Sequence, residues 1–299
     1  MNKVPRSHLS VLERTVRQNR PANRALCFGN YVKAISLRIS LTKNSRVLEF
    51  GCGPGTNILK LEASDPEFVA FVDIDPAVIA TAISRNAKRH DTTNLRSCSF
   101  TCLDFLTTQA PRIIYRGLTQ DGSVASPDKI PRPFTHVLAF YSLQHIARDP
   151  DSTRQFFINC HQVTAPLALI IGIMPNASRV FSAAHRPADV KSLFSVTGMV
   201  DRELCSWQPY GFQVTGETLY HEFTLCTDDM KTAATGLFAV RDLCSIREYM
   251  DRKEHEYPVL CASLFSCIVE RVRGPLSPQE LELIDLYDII ILQKINDCV

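Results

Sequence analysis

Three glycines at alternate positions follow a short apolar run and precede the start of a helical pattern. Residues 46–48 form the run, Glu49 follows it, and the glycines are Gly51, Gly53 and Gly55. Strand, glycine turn and helix form a layout that binds phosphates and nucleotides, because glycine lets the backbone approach a ligand closely. The sequence therefore predicts a binding site for such a ligand at this turn.

The spacing of the glycines excludes two common nucleotide-binding motifs. The dinucleotide motif requires a glycine at position 56, which is threonine here. A P-loop requires Gly-Lys followed by Ser or Thr, and no such sequence follows these glycines. An acidic residue two positions before three alternate glycines resembles motif I of class I S-adenosylmethionine-dependent methyltransferases. This resemblance implies S-adenosylmethionine as the cofactor.

A second acidic position follows the next apolar run. Residues 68–72 are continuously apolar, as in a central parallel strand, and Asp73, Asp75 and Pro76 come next. An acidic residue at the end of the second strand, about 20 residues past the glycines, is placed to hydrogen-bond ribose hydroxyls. We assign this role to Asp73, and we expect Asp75 to cap the helix that begins at Pro76.

Strand and helix patterns alternate along the first part of the chain. After the two strands above, the patterns predict strands at 99–103, 134–139 and 167–174 and a helix at 151–164. The alternation predicts an α/β fold, a doubly wound Rossmann-like sheet with helices on both faces. Short β-like runs broken at 209–211 predict extra C-terminal strands over the ligand edge of the sheet.

The length and composition are those of a globular protein that buries a sizeable core. The chain has 299 residues, of which 45% are hydrophobic and 21% charged. We expect a single domain over residues 1–299. Within it, residues 1–44 are predicted to be an N-terminal helical segment, and residues 107–133, with several prolines and glycines, a surface insertion.

Charge and cysteine usage narrow the classes of partner. The 33 basic residues nearly balance the 31 acidic ones, so net charge does not indicate a nucleic-acid binder. The eleven cysteines are scattered without a Cys-x-x-Cys pair, so we expect neither a metal site nor a disulfide scaffold. With no signal-peptide pattern and no apolar run of membrane-spanning length, we expect an intracellular protein of a reducing compartment, nucleus or cytoplasm, without a membrane partner.

Short motifs along nearly the whole chain resemble the mRNA cap (guanine-N7) methyltransferases of eukaryotes and viruses. Residues 28–33 (FGNYVK) match that family's N-N-W-x-K segment, and residues 51–60 match its G-C-G-K-G-G-D-L-L-K. Further matches, in the same order, lie at 73–85 (D-I-A and a later arginine), 174–176 (T-P-N), 221–223 (P-E-F) and 276–287 (L-S-K…I-Y). The shared order and spacing give the resemblance its specificity.

The resemblance implies a role for individual residues. It places the cofactor beside Lys33, Glu49, Gly51, Gly53, Asp73, Asp104, Phe140 and His145. It places the cap beside Asn30, Lys60, Arg85, Tyr141, Gln144, His145, Glu222 and Tyr287. Lys33 would meet the cofactor carboxylate. Glu222 would read guanine, because an ionised carboxylate only accepts hydrogen bonds and guanine offers N1–H and N2–H donors.

The chain departs from the family pattern at several of these positions. Pro54 and Asn57 replace a lysine and an aspartate of the glycine turn. Where the family has Q-F-x-x-H-Y, this chain has Phe140, Tyr141, two intervening residues, Gln144 and His145. We expect these departures to alter the details of the cap pocket more than cofactor binding.

The resemblance implies transfer of a methyl group from S-adenosylmethionine to N7 of the guanine cap of mRNA. N7 carries a free lone pair and no proton, so we expect no residue to act as a catalytic acid or base. The expected partners are capped RNA and a subunit of a capping apparatus. Two alternatives stay open, a methyltransferase for a small molecule or a protein and an inactive methyltransferase-like scaffold subunit.

Overall fold

The computed structural model describes residues 23–87, 95, 97–117, 132–185, 193–198, 206–215, 219–268 and 276–296. Its helices are α1 (Asn23–Ser40), α2 (Ile58–Glu62), α3 (Pro76–Ala87), α4 (Ala110–Gly117), α5 (Leu143–Ile146), α6 (Pro150–Val163), α7 (Ala177–Ala184), α8 (Thr227–Ala234), α9 (Ile246–Glu256), α10 (Pro258–Ile268) and α11 (Pro278–Asp285). Its strands are β1 (Arg46–Phe50), β2 (Phe68–Asp73), β3 (Cys98–Cys102), β4 (Phe134–Phe140), β5 (Thr164–Pro175), β6 (Phe194–Thr197), β7 (Pro209–Val214), β8 (Tyr220–Phe223), β9 (Phe238–Ser245) and β10 (Tyr287–Lys294).

Seven strands form one sheet in the order β3-β2-β1-β4-β5-β10-β9. Strand β1 pairs in parallel with β2 and with β4, so the strand order reverses direction at this point. Strand β10 runs antiparallel to both β5 and β9. Ligands of open α/β sheets bind at the carboxyl ends of the strands where the order reverses. The predicted α/β fold is confirmed, and the reversal places the glycine turn after β1 at the ligand edge.

Successive residues of the central strands pack on opposite faces of the sheet. Val47, Val69 and Leu138 belong to one buried cluster, whereas Leu48 and Ala70 belong to a second. Side chains alternate between faces along a strand, so a strand that is apolar throughout must be covered on both sides. This explains why the apolar runs seen in the sequence require helices on both faces.

A second sheet of three antiparallel strands has the order β6-β7-β8. Residues 209–211, which the sequence predicted to interrupt this region, lie inside β7. That prediction was wrong, because Pro209 is the first residue of its strand and a proline is tolerated there. Tyr210 pairs directly with Glu222 across the β7–β8 hairpin. The extra strands therefore carry Glu222 into the interior of the molecule.

The N-terminal helical segment and the proposed insertion are described in part. Helix α1 falls within the predicted segment 1–44, while residues 1–22 lie outside the described residues. Residues 110–117 form α4, and Ala110 and Ile114 are buried in the core. The prediction of a surface insertion was wrong for these residues, because an apolar pair at i, i+4 packs one face of a helix against the sheet. Residues 118–131 lie outside the described residues.

Lys294 joins the end of β10 to the end of α6. Its buried Nζ donates to the carbonyl oxygens of His161 at 2.7 Å and Thr164 at 2.9 Å. We expect Lys294→Met to lower the free energy of unfolding by about 1–3 kcal/mol, because it removes the donor from buried acceptors. Chemical denaturation measures this. Lys231→Met, at an exposed ion pair, is the control, with an expected change below about 0.5 kcal/mol. Equal unfolding midpoints for the two variants would contradict the prediction.

Within the described residues, none of the helices combines the length and apolar character needed to cross a lipid bilayer.

Candidate active site

A cavity of about 480 Å³ lies at the ligand edge of the main sheet. It is lined by the loop after β4, the start of β10, the second sheet and two helices. Its wall contains seven residues that the sequence assigned to a site: Asn30, Lys33, Tyr141, Gln144, His145, Glu222 and Tyr287. The fold therefore brings together residues from positions 30 to 287 in one cavity.

Helices α1 and α11 close one side of this cavity, through Leu26 and Ile284 among others. Arg24 of α1 donates to Glu280 of α11, with 2.8 Å from Nε to Oε1. Glu280 also forms a capping box with Ser277 at the start of α11. Charge-assisted bonds with two donors have a fixed geometry, so this pair sets the two helices relative to each other.

The glycine turn after β1 adopts a left-handed backbone at its glycines. Gly51 has φ +61°, and a Cβ atom added to it would lie 2.5 Å from Cβ of Ser142. Gly53 has φ +55°, and a Cβ atom there would have nothing within 4 Å. Gly51 thus permits close packing against the loop after β4, whereas Gly53 borders open space that a ligand can occupy.

Asp73 lies beside this turn and supports it. Its Oδ2 accepts from the backbone N–H of Gly53 at 2.9 Å, and its Oδ1 accepts from that of Asp75 at 3.1 Å. The Asp75 side chain accepts from the N–H of Ala77 at 2.8 Å, which confirms the predicted cap of α3. Asp104 follows β3 and accepts from the N–H of Leu106 at 3.0 Å. The two acidic positions predicted for a nucleoside thus follow neighbouring strands.

A buried carboxylate lies beneath the glycine turn. Asn57 Nδ2 donates to Glu49 Oε1 at 2.6 Å, while the buried Glu49 Oε2 has no hydrogen-bond partner. Burial raises the pKa of Glu49 to about 7, against the opposing effects of the Asn57 hydrogen bond and of nearby lysines. Lys60 Nζ donates to Asn57 Oδ1 and to the Thr56 carbonyl oxygen, both at 3.2 Å. Burial also lowers the pKa of Lys60.

Lys33 presents a buried ammonium group to the same region. Its Nζ lies 4.6 Å from the ring centre of Tyr141 and 5.8 Å from that of Phe140, the last residue of β4. Burial, reinforced by the charge of Lys60, lowers the pKa of Lys33 to about 8. Lys33 forms no ion pair with a carboxylate in the described parts of the chain. Aromatic rings stabilise this cation in part, and an anionic ligand would stabilise it further.

Two tyrosines form an aromatic corner in the cavity. The rings of Tyr141 and Tyr287 meet edge to face, with centres 5.0 Å apart and planes at 86°. Tyr141 has φ +57°, a strained backbone for a residue with a side chain. Such strain persists only where the surroundings impose it, and it concentrates at functional sites. Burial raises the pKa of both phenols, so both remain neutral hydrogen-bond donors near neutral pH.

Glu222 is buried in the cavity wall, with 6% of its surface exposed. Tyr210 Oη donates to its Oε2 at 2.6 Å, and Gln144 Nε2 donates to its Oε1 at 3.3 Å. Both of these donors are neutral. A carboxylate oxygen can accept more than one hydrogen bond, so Glu222 retains capacity for donors from a ligand.

Some of the predicted site residues lie outside the cavity wall. Lys60 reaches the wall only through its bond to Thr56, and Arg85 lies in the last turn of α3. The sequence analysis missed Thr56, Tyr210 and Tyr220. Tyr220 and Thr56 line the cavity, and Tyr210 positions Glu222. A cross-strand pairing of residues 210 and 222 was the signal that could have revealed Tyr210.

Among the described residues, no group of three or more His, Cys, Asp and Glu side chains is arranged to hold a metal ion.

A model of a methyltransferase-domain family matches residues 21–215 of this chain. A search of curated proteins finds no match. Among solved structures, the methyltransferase CcbJ from Streptomyces caelestis is similar, with 11% identity, a TM-score of 0.51, and coverage of 89% of this chain and 90% of that one. At this level of identity the similarity concerns the fold.

Two further structures are similar over most of their length. An S-adenosylmethionine-dependent methyltransferase from Clostridium acetobutylicum has 10% identity and a TM-score of 0.49, over 95% of this chain and 96% of that one. The N-methyltransferase NodS from Bradyrhizobium japonicum, in complex with S-adenosyl-L-homocysteine, has 12% identity and a TM-score of 0.47, over 94% of this chain and 91% of that one.

Proposed function

The chain belongs to the methyltransferase-domain family, with S-adenosylmethionine as its methyl donor, and on this premise we propose that it methylates N7 of the guanine cap of RNA. The observation that carries the proposal is the buried Glu222 in an aromatic cavity next to the glycine turn. Guanine presents two adjacent N–H donors and a flat ring, which match a carboxylate and tyrosine rings.

The residues around the glycine turn fit the cofactor. The open side of Gly53 leaves room for a ligand, and the unpartnered Glu49 Oε2 can accept a hydrogen bond from one. Lys33 would hold the cofactor carboxylate, and Asp73 the ribose hydroxyls. Asp104 would lie beside the adenine. When bound, S-adenosylmethionine supplies a methyl group that is already activated by the sulfonium.

The protein's part in the reaction is positioning rather than proton transfer. Guanine N7 has no proton to lose, so the chain needs no general base at this atom. Glu222 and the two cavity tyrosines would fix the plane and direction of the base, so that N7 faces the methyl carbon in line. This is catalysis by proximity and orientation. His145, exposed at the cavity, would contact the base or ribose by stacking rather than remove a proton.

Polar and basic residues near the cavity are proposed to bind the triphosphate of the cap. Asn30 and Thr56 line the cavity, and Lys60 is attached to the same turn. Arg85 on α3 would extend this basic path outward. The family replaces Pro54 by lysine, so the path of the triphosphate here would depend more on Lys60.

Acceptor comparison tests the proposal. Labelled S-adenosylmethionine is incubated with the protein and with one of three short RNAs, ending in GpppA, pppA or already methylated m7GpppA. We expect transfer to the GpppA RNA alone. Equal transfer to all three would exclude the cap as acceptor, and transfer to small molecules without a triphosphate would favour the alternative class. Failure to bind S-adenosylmethionine would favour a scaffold subunit.

The low pKa of Lys33 predicts a pH-dependent cofactor affinity. Lys33 holds a carboxylate only while protonated, so its contribution is present below about pH 8 and is lost as the pH rises through that value. The dissociation constant of S-adenosylhomocysteine for wild type should therefore rise about fivefold more between pH 8 and 9 than that for Lys33→Met. Calorimetry measures both. The comparison with Lys33→Met corrects for the ligand's own amino group, and a constant ratio would contradict the prediction.

A further inference from the structure

Gln144 lies in the cavity wall and has both amide N–H groups in use. Its Nε2 donates to the Tyr141 carbonyl oxygen at 3.0 Å and to Glu222 Oε1 at 3.3 Å. An amide nitrogen carries two N–H donors, so both are satisfied within the protein. Its Oε1, in contrast, is buried without any hydrogen-bond partner.

The surrounding acceptors fix which end of the amide is the oxygen. Turning the Gln144 amide over would place Oε1 against the Tyr141 carbonyl and the Glu222 carboxylate, and neither can donate a hydrogen bond to it. The residue is only 3% exposed, so bulk water does not satisfy the oxygen either. Buried polar atoms without a partner are rare in folded proteins, and one in a cavity wall indicates a ligand donor.

We propose that Gln144 Oε1 accepts an N–H from the exocyclic amino group of the cap guanine and makes the enzyme selective for guanine over hypoxanthine. This inference rests on the proposed function. Guanine carries one N–H at N1 and two at N2, whereas hypoxanthine has the same ring without the N2 amino group. Glu222 takes N1–H and the nearer N2 hydrogen. Gln144, hydrogen-bonded to Glu222, takes the remaining one.

The test compares two capped RNAs, GpppA and its inosine analogue IpppA, with wild type and Gln144→Met. Methionine preserves the length and approximate volume of the side chain but lacks the amide oxygen. We expect wild type to favour the guanine cap in kcat/KM by roughly 100-fold, because two hydrogen bonds are lost with inosine. Gln144→Met should lower kcat/KM for the guanine cap by roughly tenfold and leave that for the inosine cap within about twofold.

The ratio of the two substrates within one variant cancels any loss of folded protein. Gln162→Met, on the exposed face of α6, is the matched control and should leave both rates unchanged. An equal loss on both caps in Gln144→Met, or equal rates on both caps in wild type, would overturn the role of Gln144 while the cap function stands. No transfer to either cap by wild type would overturn the proposed function, and this inference with it.

Discussion

Replacement of Glu222 by glutamine is expected to reduce kcat/KM for methyl transfer to capped RNA by roughly 100-fold or more, since it weakens two hydrogen bonds to a charged acceptor. The substitution preserves the shape of the side chain. It also places an amide N–H group where guanine presents its own N–H donors. Cofactor affinity should stay within about twofold, because the cofactor residues surround the glycine turn rather than Glu222. Transfer of labelled methyl groups and calorimetric titration with S-adenosylhomocysteine measure the two effects separately.

Glu256→Gln supplies the matched control for this prediction. Glu256 is exposed at the end of α9, where it pairs with Lys253, so its substitution should change neither activity nor cofactor binding. A thermal unfolding curve of Glu222→Gln checks that the variant is folded. Retention of full activity in a folded Glu222→Gln would show that the acceptor is held by another part of the cavity.

Substitution of alanine at Gly51 is expected to disrupt the glycine turn and the cavity together. The new Cβ would meet Cβ of Ser142 at 2.5 Å, and Ser142 is fixed by donating to the Phe50 carbonyl oxygen at 3.1 Å. Relief of the clash would displace the strained backbone at Tyr141. We expect a loss of about 2–5 kcal/mol in the free energy of unfolding, from overpacking and from a left-handed backbone that alanine disfavours.

Gly53→Ala is a matched comparison on the same turn. It carries a similar backbone cost of about 1–2 kcal/mol, but its Cβ would meet no protein atom within 4 Å. The variant should therefore fold, and it should bind S-adenosylhomocysteine at least about tenfold more weakly because the methyl group enters the ligand's space. Chemical denaturation and calorimetry separate the two outcomes. Gly51→Ala as stable as Gly53→Ala, or Gly53→Ala with wild-type affinity, would contradict this account of the turn.

The sequence revealed the ligand edge of the sheet because local patterns encode it. Continuous apolar strands, the glycine turn and the acidic ends of β2 and β3 are each specified within a few residues. Asp75 was identified as a helix cap from its position before Pro76, and its bonds to the backbone bear this out. The residues carried over from the family resemblance mostly converge on one cavity, although their roles toward a cap stay predictions.

What the sequence did not reveal depends on contacts between distant segments. The bond from Tyr210 to Glu222 arises from the β7–β8 pairing, and Pro209 and Gly211 concealed that strand. The strained backbone of Tyr141 follows from close packing of its loop against the glycine turn. Helix α4 was concealed by the prolines and glycines that flank its apolar face. In each case tertiary packing overrode the local residue preferences.

The most direct test of the cap assignment is the position of the transferred methyl group. RNA ending in GpppA is methylated with labelled S-adenosylmethionine and digested to nucleosides, and the labelled nucleoside is identified by mass spectrometry. The account predicts that all of the label lies in 7-methylguanosine derived from the cap. Label in any other nucleoside, or no label from a protein that binds the cofactor tightly, would contradict it.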